Sequence, residues 1–400
     1  MPQLSKSASR PLLLCLSHLR WDLVLQRPQH LLTRAARDWH VLYLEEARFE
    51  PPGADTPRLE RRAVAPGIEV VVPVLPYWDG VPGSVERLQR PLLDTLLAGE
   101  GQPDVVWYYT PLAHAVAGHL TPRVTVYDCM DELSAFKDAS PQLLLEERRL
   151  LRRADLVFTG GPSLYGAKRV VCPGAHCFPS SIDAAHFAGA RGVGFTEPPG
   201  MAALPHPRIG WFGVVDERMD LALLDACATL RPDWSFVMIG PVVKVDPASL
   251  PRRANIHWLG GRSYADLPAY LAHWDAGFMN FALNEATRYI SPTKTPEYLA
   301  AGVPVVSTAI ADVVNPWGEM GLVEIADTTG EAVAALERVM ARSRGSWLAR
   351  VDAHLAQISW DKTWDGMHGL LRGTGHHLTE AAATGQGPDM LRSVLADRRR

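Results

Sequence analysis

Short apolar runs alternate with longer amphipathic stretches along most of the chain, and the alternation restarts after an interruption near the middle. Apolar runs lacking the every-other-residue polar pattern of a half-exposed strand read as strands buried on both faces. The amphipathic stretches between them read as the crossovers of a parallel sheet. In the first half the strand candidates are 12–16, 41–44, 68–72, 105–108, 124–127, 156–158 and 176–178, with helical patterns over 29–36, 88–97 and 142–153. Residues 188–207 are rich in Gly, Ala and Pro and carry neither period, so they read as a linker. Beyond them strands are expected at 208–212, 236–239, 256–258, 276–280, 305–307 and 322–325, and helices at 221–229, 268–272, 296–301 and 330–342. The expectation is α/β: two doubly wound Rossmann-like domains, 1–187 and 208–358, facing across a cleft. A helix over 359–373 follows, with Trp360 and Trp364 on one face. Residues 374–400 carry few bulky apolar side chains and are expected to form a mobile tail with a short helix at 388–398.

The 400 residues are too many for one ordinary core, and the formal charge of −4 gives no global attraction to nucleic acid or membrane. Five cysteines (Cys15, Cys129, Cys172, Cys177, Cys227) show no CxxC spacing and read as reduced thiols of a cytoplasmic chain. The apolar run after Arg10 is too short for a secretory signal and meets His18, Arg20 and Asp22 at once, so a first buried strand is expected there.

Ligands of doubly wound sheets bind outside the carboxyl ends of the strands. The segment Ser291 to Gly302, SPTKTPEYLAAG, lies at such a place. Pro296 is tolerated only in a first helical turn, which puts the N-cap at Thr293 or Thr295 and Lys294 at the helix's anion-attracting end. Glu297 offers two acceptor oxygens suited to a ribose diol. A capped surface helix with a solvated Lys/Glu pair is the plainer alternative.

This segment, with Asn280 and Asn284 upstream, resembles the donor-binding segment of glycosyltransferases with the B-type (GT-B, twin Rossmann-like) fold. It is most similar to group 1 glycosyltransferases of bacterial surface-polysaccharide synthesis. RIGWFGVVDERMD (208–220), FVMIGP (236–241), NIHWLGG (255–261), CFPSSIDAAHF (177–187) and SWDKTWDGM (359–367) fall in the order and spacing of that family's other segments. The resemblance implies that a nucleoside diphosphate sugar, UDP-linked, is the donor. Lys294 would contact the phosphates and Glu297 the ribose. Gly213, Arg218, Gly240, Ser291 and Thr293 would surround the diphosphate, and Trp258 and Gly261 would flank the base. The helix over 359–373 would cross back onto the N-terminal domain, which would take a carbohydrate or lipid-linked acceptor.

Retaining members of the family carry a second glutamate upstream of this helix. The corresponding position here is Tyr289, and the nearest acid, Glu285, is further upstream. An inverting transfer then needs a base, and Asp131, after the strand at 124–127, best matches the aspartate that inverting members use, with Asp128 as the alternative. Those acids could instead cap the next segment or bind Lys137. QRPQH (26–30) is similar to a segment that recurs in the group, which puts Arg27, Gln29 and His30 at the acceptor side, with His30 a further catalytic candidate. No DxD sequence occurs, and neither a metal nor a cofactor is expected.

Gly161 to Lys168 imitates a phosphate-binding loop, but its lysine comes one place late and no Ser/Thr follows. No GxGxxG follows the first strand, against a dinucleotide oxidoreductase. Arg148, Arg149, Arg152 and Arg153, and the terminal Arg398 to Arg400, are candidate contacts with anionic lipid at the inner face of a membrane. A solvated helix face is the competing reading for the first group. Two other functions fit the same fold: a sugar-nucleotide epimerase and a non-catalytic nucleotide- or glycan-binding module.

Overall fold

The computed structural model describes residues 10–51, 57–77, 81, 83–192 and 194–383. Its first sheet is built from β1 (Leu12–Leu16), β2 (His40–Leu44), β3 (Arg48–Glu50), β4 (Arg58–Ala65), β5 (Ile68–Pro76), β6 (Val105–Tyr108), β7 (Val124–Cys129), β8 (Leu156–Thr159) and β9 (His176–Cys177). The order is β3-β5-β2-β1-β6-β7-β8-β9, with β4 added antiparallel on β5. The second sheet runs β12-β11-β10-β13-β14-β15. Its strands are β10 (Arg208–Phe212), β11 (Ser235–Ile239), β12 (Ile256–Gly260), β13 (Ala276–Met279), β14 (Val305–Ser307) and β15 (Val323–Ile325), all parallel. In each sheet the chain winds outward in both directions from a central strand, β1 or β10, so both strand-end crevices fall where the order reverses.

β3 and β4 were not foreseen. Their residues are partly exposed and rich in charge, joined by Arg58 to Glu50 and Glu60 and by Arg61 to Glu69, while Leu59, Val64 and Ala65 of β4 pack against the core. Of the expected linker, the part 197–207 is docked rather than free: Met201 is fully buried, and the Arg208 guanidinium donates to the Leu204 carbonyl and pairs with Glu197 at 2.8 Å. Ile182, Phe187 and Ala190 already pack in the second core, so the crossover between domains precedes residue 188.

The helix Trp360–Ala383 returns to the first domain, where Trp360, Trp364, Met367 and Leu371 are buried among Trp39, Trp107 and Phe158. The Trp364 ring lies 6.3 Å from Trp107 and 6.0 Å from Trp39. Fully burying one such side chain is worth about 1.5–3 kcal/mol, so this helix fixes the two domains together. It continues through the first part of the segment expected to be a mobile tail. The expected helix at 388–398 and the terminal arginines lie outside the described residues. Among the described residues no helix is long and apolar enough to cross a membrane.

Candidate active site

The helix Lys294–Ala300 is pinned to the second sheet by small residues beneath it. Gly210 of β10 and Gly277 of β13 face each other in register, and neither has room for a Cβ: Trp274 lies over the first and Tyr298 over the second. Tyr298 accepts a hydrogen bond from the Phe212 backbone N–H at 2.9 Å, which ties the helix to the end of β10. Thr293 is the N-cap, as Pro296 requires, and Lys294 opens the helix at the cleft.

The next residue after β10 is Gly213, with φ +137°, and the residue after β11 is Gly240, with φ +148°. Both backbone conformations are ones that side chains rarely adopt. A Cβ on Gly240 would run into the Gly213 carbonyl, and a Cβ on Gly213 would run into the Lys294 side chain. The ammonium of Lys294 lies 4.7 Å from the centre of the Trp211 ring. Arg218 forks onto Asp216, with N···O distances of 2.7–3.1 Å. Burial, followed by repulsion from Arg218, lowers the Lys294 pKa, while burial raises that of Glu297 against the pull of Lys294.

Across the cleft, Asp131 is half-buried at the end of the β7 loop. Burial raises its pKa, opposed by Arg218. The cleft, about 1130 Å³, brings together Asp131, Gly213, Arg218, Gly240, Gly261, Ser291, Thr293, Lys294 and Glu297. The first domain also crosses to the second: the Lys137 backbone N–H donates to Glu217 at 3.0 Å, and Phe136 meets Arg218 and Lys244 at 5.3 and 5.6 Å.

Five expected site residues do not line it. Asp128 is fully buried and paired two-pronged with Arg27, whose Nη1 also donates to the Phe178 carbonyl at 2.7 Å. That pair joins β7, the first helix and the segment after β9, which is a structural task. Gln29 is spent on the carbonyls of Trp21 and Val24 and on the Gln26 N–H. His30 stacks on Trp360 at 4.6 Å, and burial lowers its pKa to about 4. Trp258 donates its indole N–H to the Pro251 carbonyl. The QRPQH segment therefore builds the floor beneath the cleft, and of its residues only Gln26 reaches the wall.

Sequence reasoning missed His18, Phe136, Asp216 and Lys244 on that wall. His18 comes two residues after β1, a position that could have drawn attention to it. Phe136 gave no local signal, because its role comes from the other domain's cations.

Two doubly wound domains, with a lysine-led helix and a glycine loop facing an acidic loop, define a protein of the GT-B fold. Residues 206–342 match the model of the family described as Glycosyl transferases group 1. The chain is 25% identical over 244 residues to a Bacillus subtilis (strain 168) protein named for teichuronic acid biosynthesis as glycosyltransferase TuaH. That match covers 54% of this chain and 59% of the relative. Among solved structures, the fold is similar to sucrose-phosphate synthase from Thermosynechococcus elongatus (TM-score 0.68, 16% identity, 91% of this chain and 99% of that one). It is also similar to Anabaena HepE in complex with UDP and glucose (TM-score 0.63, 16% identity, 90% and 99%). A third is the UDP-forming trehalose-phosphate synthase of Burkholderia vietnamiensis (TM-score 0.65, 14% identity, 92% and 99%).

Proposed function

We propose that this protein is a glycosyltransferase that moves a sugar from a nucleoside diphosphate donor, UDP-linked, to a hydroxyl of a carbohydrate or lipid-linked acceptor. The observation that carries it is the convergence of Lys294, Arg218 and the Gly213 loop at one end of a cleft whose other wall holds Asp131. A diphosphate gains from helix-end amides, from a lysine point charge and from a close backbone approach that only glycine allows. With Lys244 also on the wall, three cations meet the donor's charge, and the proposal requires no metal. The UDP of HepE and of the UDP-forming synthase supports uracil as the base. TuaH supports a place in cell-surface polysaccharide or glycoconjugate synthesis.

In the step itself the acceptor oxygen bonds to the anomeric carbon as the bond from that carbon to the diphosphate oxygen breaks. The electron pair leaves with the diphosphate, and Asp131 takes the acceptor proton. Burial raises its pKa, which makes the carboxylate a stronger base than an exposed aspartate. Glu297 holds the ribose diol.

The acceptor wall is mixed: Trp21, Leu23, Leu25, Leu112, Met130 and Leu133 form an apolar part beside Asp22, Glu46, Lys137 and Asp138, which favours an acceptor with both an apolar and a polar part. Beside it the helix Pro141–Arg153 exposes Leu144, Leu145, Arg148 and Arg152, an arrangement suited to resting on an anionic membrane surface.

A donor panel followed by nucleotide release, with and without acceptors, tests the reading. Turnover that needs an acceptor and falls by about 10²-fold or more in Asp131→Asn supports it. Donor consumed equally well without any acceptor points to an epimerase or hydrolase instead, and binding without turnover points to an accessory module.

A further inference from the structure

Three charged side chains lie behind the cleft wall. Lys168 Nζ is 2.7 Å from Glu132 Oε2 and 2.6 Å from Glu147 Oε1, and the Tyr127 hydroxyl donates to the same Glu147 oxygen at 2.8 Å. The lysine and the two glutamates are 7%, 15% and 9% exposed. Apolar residues of equal volume would serve stability as well, since taking such charges out of water offsets most of their attraction. What an ionic cluster does supply is fixed geometry, and what it fixes here is Glu132, the neighbour of Asp131. The other Glu132 oxygen accepts from Ser134 Oγ at 2.6 Å, so both carboxylate oxygens are held.

Lys168 ends the helix Pro162–Lys168, and the start of that helix meets the second domain. The Ser163 backbone N–H donates to Asp312 Oδ1 at 2.9 Å. A Cβ on Gly161 would come within 2.6 Å of Ser291 Cβ, the first residue of the donor segment. A Cβ on the preceding Gly160 would strike the Met130 carbonyl, in the Asp131 loop. One short stretch, 160–168, therefore touches the acidic loop at both of its ends and the donor segment at one.

We propose that Lys168 is a positioning residue for glycosyl transfer: by clamping Glu132 it holds the Asp131 loop in register with the donor segment that the same helix abuts. The inference rests on the reading of Asp131 as the base. It gives the lysine of the false phosphate-binding loop a function that is structural in contact and catalytic in effect.

The test compares wild type, Lys168→Met, Glu132→Gln, Asp131→Asn and the Asp131→Asn/Glu132→Gln double variant. Glu132→Gln leaves the Lys168–Glu147 pair intact and decides the matter should Lys168→Met fail to fold. Turnover is followed by nucleotide release from the donor that the panel selects, nucleotide affinity by titration calorimetry, and loop order by amide hydrogen exchange without substrate. Expected in Glu132→Gln are a kcat lower by about tenfold or more, unchanged nucleotide affinity and faster exchange of the amides at 131–134. Adding Glu132→Gln to Asp131→Asn costs little further, since both act on one group. Wild-type kcat in Glu132→Gln and in folded Lys168→Met, where Asp131→Asn is inactive, overturns the inference alone. Unchanged exchange at 131–134 overturns it without any substrate. Wild-type kcat in Asp131→Asn overturns the parent reading instead.

Discussion

The Lys294 ammonium occupies the space that a side chain on residue 213 would need: a Cβ built on Gly213 lies 2.6 Å from Lys294 Nζ. The glycine and the lysine, far apart in sequence, thus define one corner of the cleft, where backbone and charge approach the same point. Gly213→Ala is expected to displace the ammonium and weaken nucleoside diphosphate binding by about tenfold or more, the worth of one charge-assisted contact. Gly240→Ala acts differently, because its Cβ meets the Gly213 backbone, which cannot swing aside. A loss of about 2–4 kcal/mol in urea unfolding is expected there. Equal effects of the two substitutions on stability would contradict this division.

The Arg27–Asp128 pair, 1% and 0% exposed, is expected to matter for folding and not for chemistry. Arg27→Met leaves the Asp128 carboxylate buried without its cation, at a cost of about 3–5 kcal/mol. Chemical denaturation measures that loss. At temperatures where the variant stays folded, nucleotide affinity should match wild type. A folded variant with lost nucleotide affinity would return Arg27 to the binding site.

His30 should make the protein acid-sensitive. Its pKa in the folded state, about 4, lies below the unfolded value, so the unfolded chain binds more protons between the two. The stability is therefore fully present above pH ~6.5 and is lost as the pH falls toward 4, by up to about 3 kcal/mol from this group. His30→Phe keeps a ring against Trp360 and removes the titration. Its melting temperature should fall less steeply than wild type between pH 6.5 and 4, and parallel curves would refute the assignment.

Much of the architecture could be read from the chain because buried parallel strands leave dense apolar runs, and every run assigned to a strand forms one. The start of the helix Lys294–Ala300 was legible for a related reason: Pro296 is tolerated only in a first turn, and the structure puts the N-cap at Thr293, with Lys294 and Glu297 on the cleft wall. Part of what was missed depended on partners distant in sequence. Asp128 looked catalytic at a strand end until Arg27, 101 residues away, was found paired with it. β4 was hidden because four charged residues break its apolar pattern, leaving Leu59, Val64 and Ala65 too scattered to read as a run. Phe136, His18 and Lys168 gain their surroundings only when the two domains and the helix 162–168 come together.

Donor affinity should depend on pH through Lys294. Burial and Arg218 lower its pKa in the free protein, and a bound diphosphate pulls it back up. Above the depressed value, binding must take up a proton, so affinity falls as the pH is raised from neutrality toward the usual lysine range near about 10. Calorimetry of nucleoside diphosphate binding in buffers of different ionisation enthalpy would detect that proton, and Lys294→Met should show none. Proton uptake that persists in Lys294→Met would assign it to another group.

The central claim is that Lys294 holds the donor diphosphate. Titration calorimetry with UDP, and with GDP and ADP in parallel, on wild type and Lys294→Ala tests it most directly. The tightest of the three should bind Lys294→Ala about 10- to 100-fold more weakly, with the fold intact by circular dichroism. Binding of that nucleotide to Lys294→Ala with wild-type affinity would contradict the account.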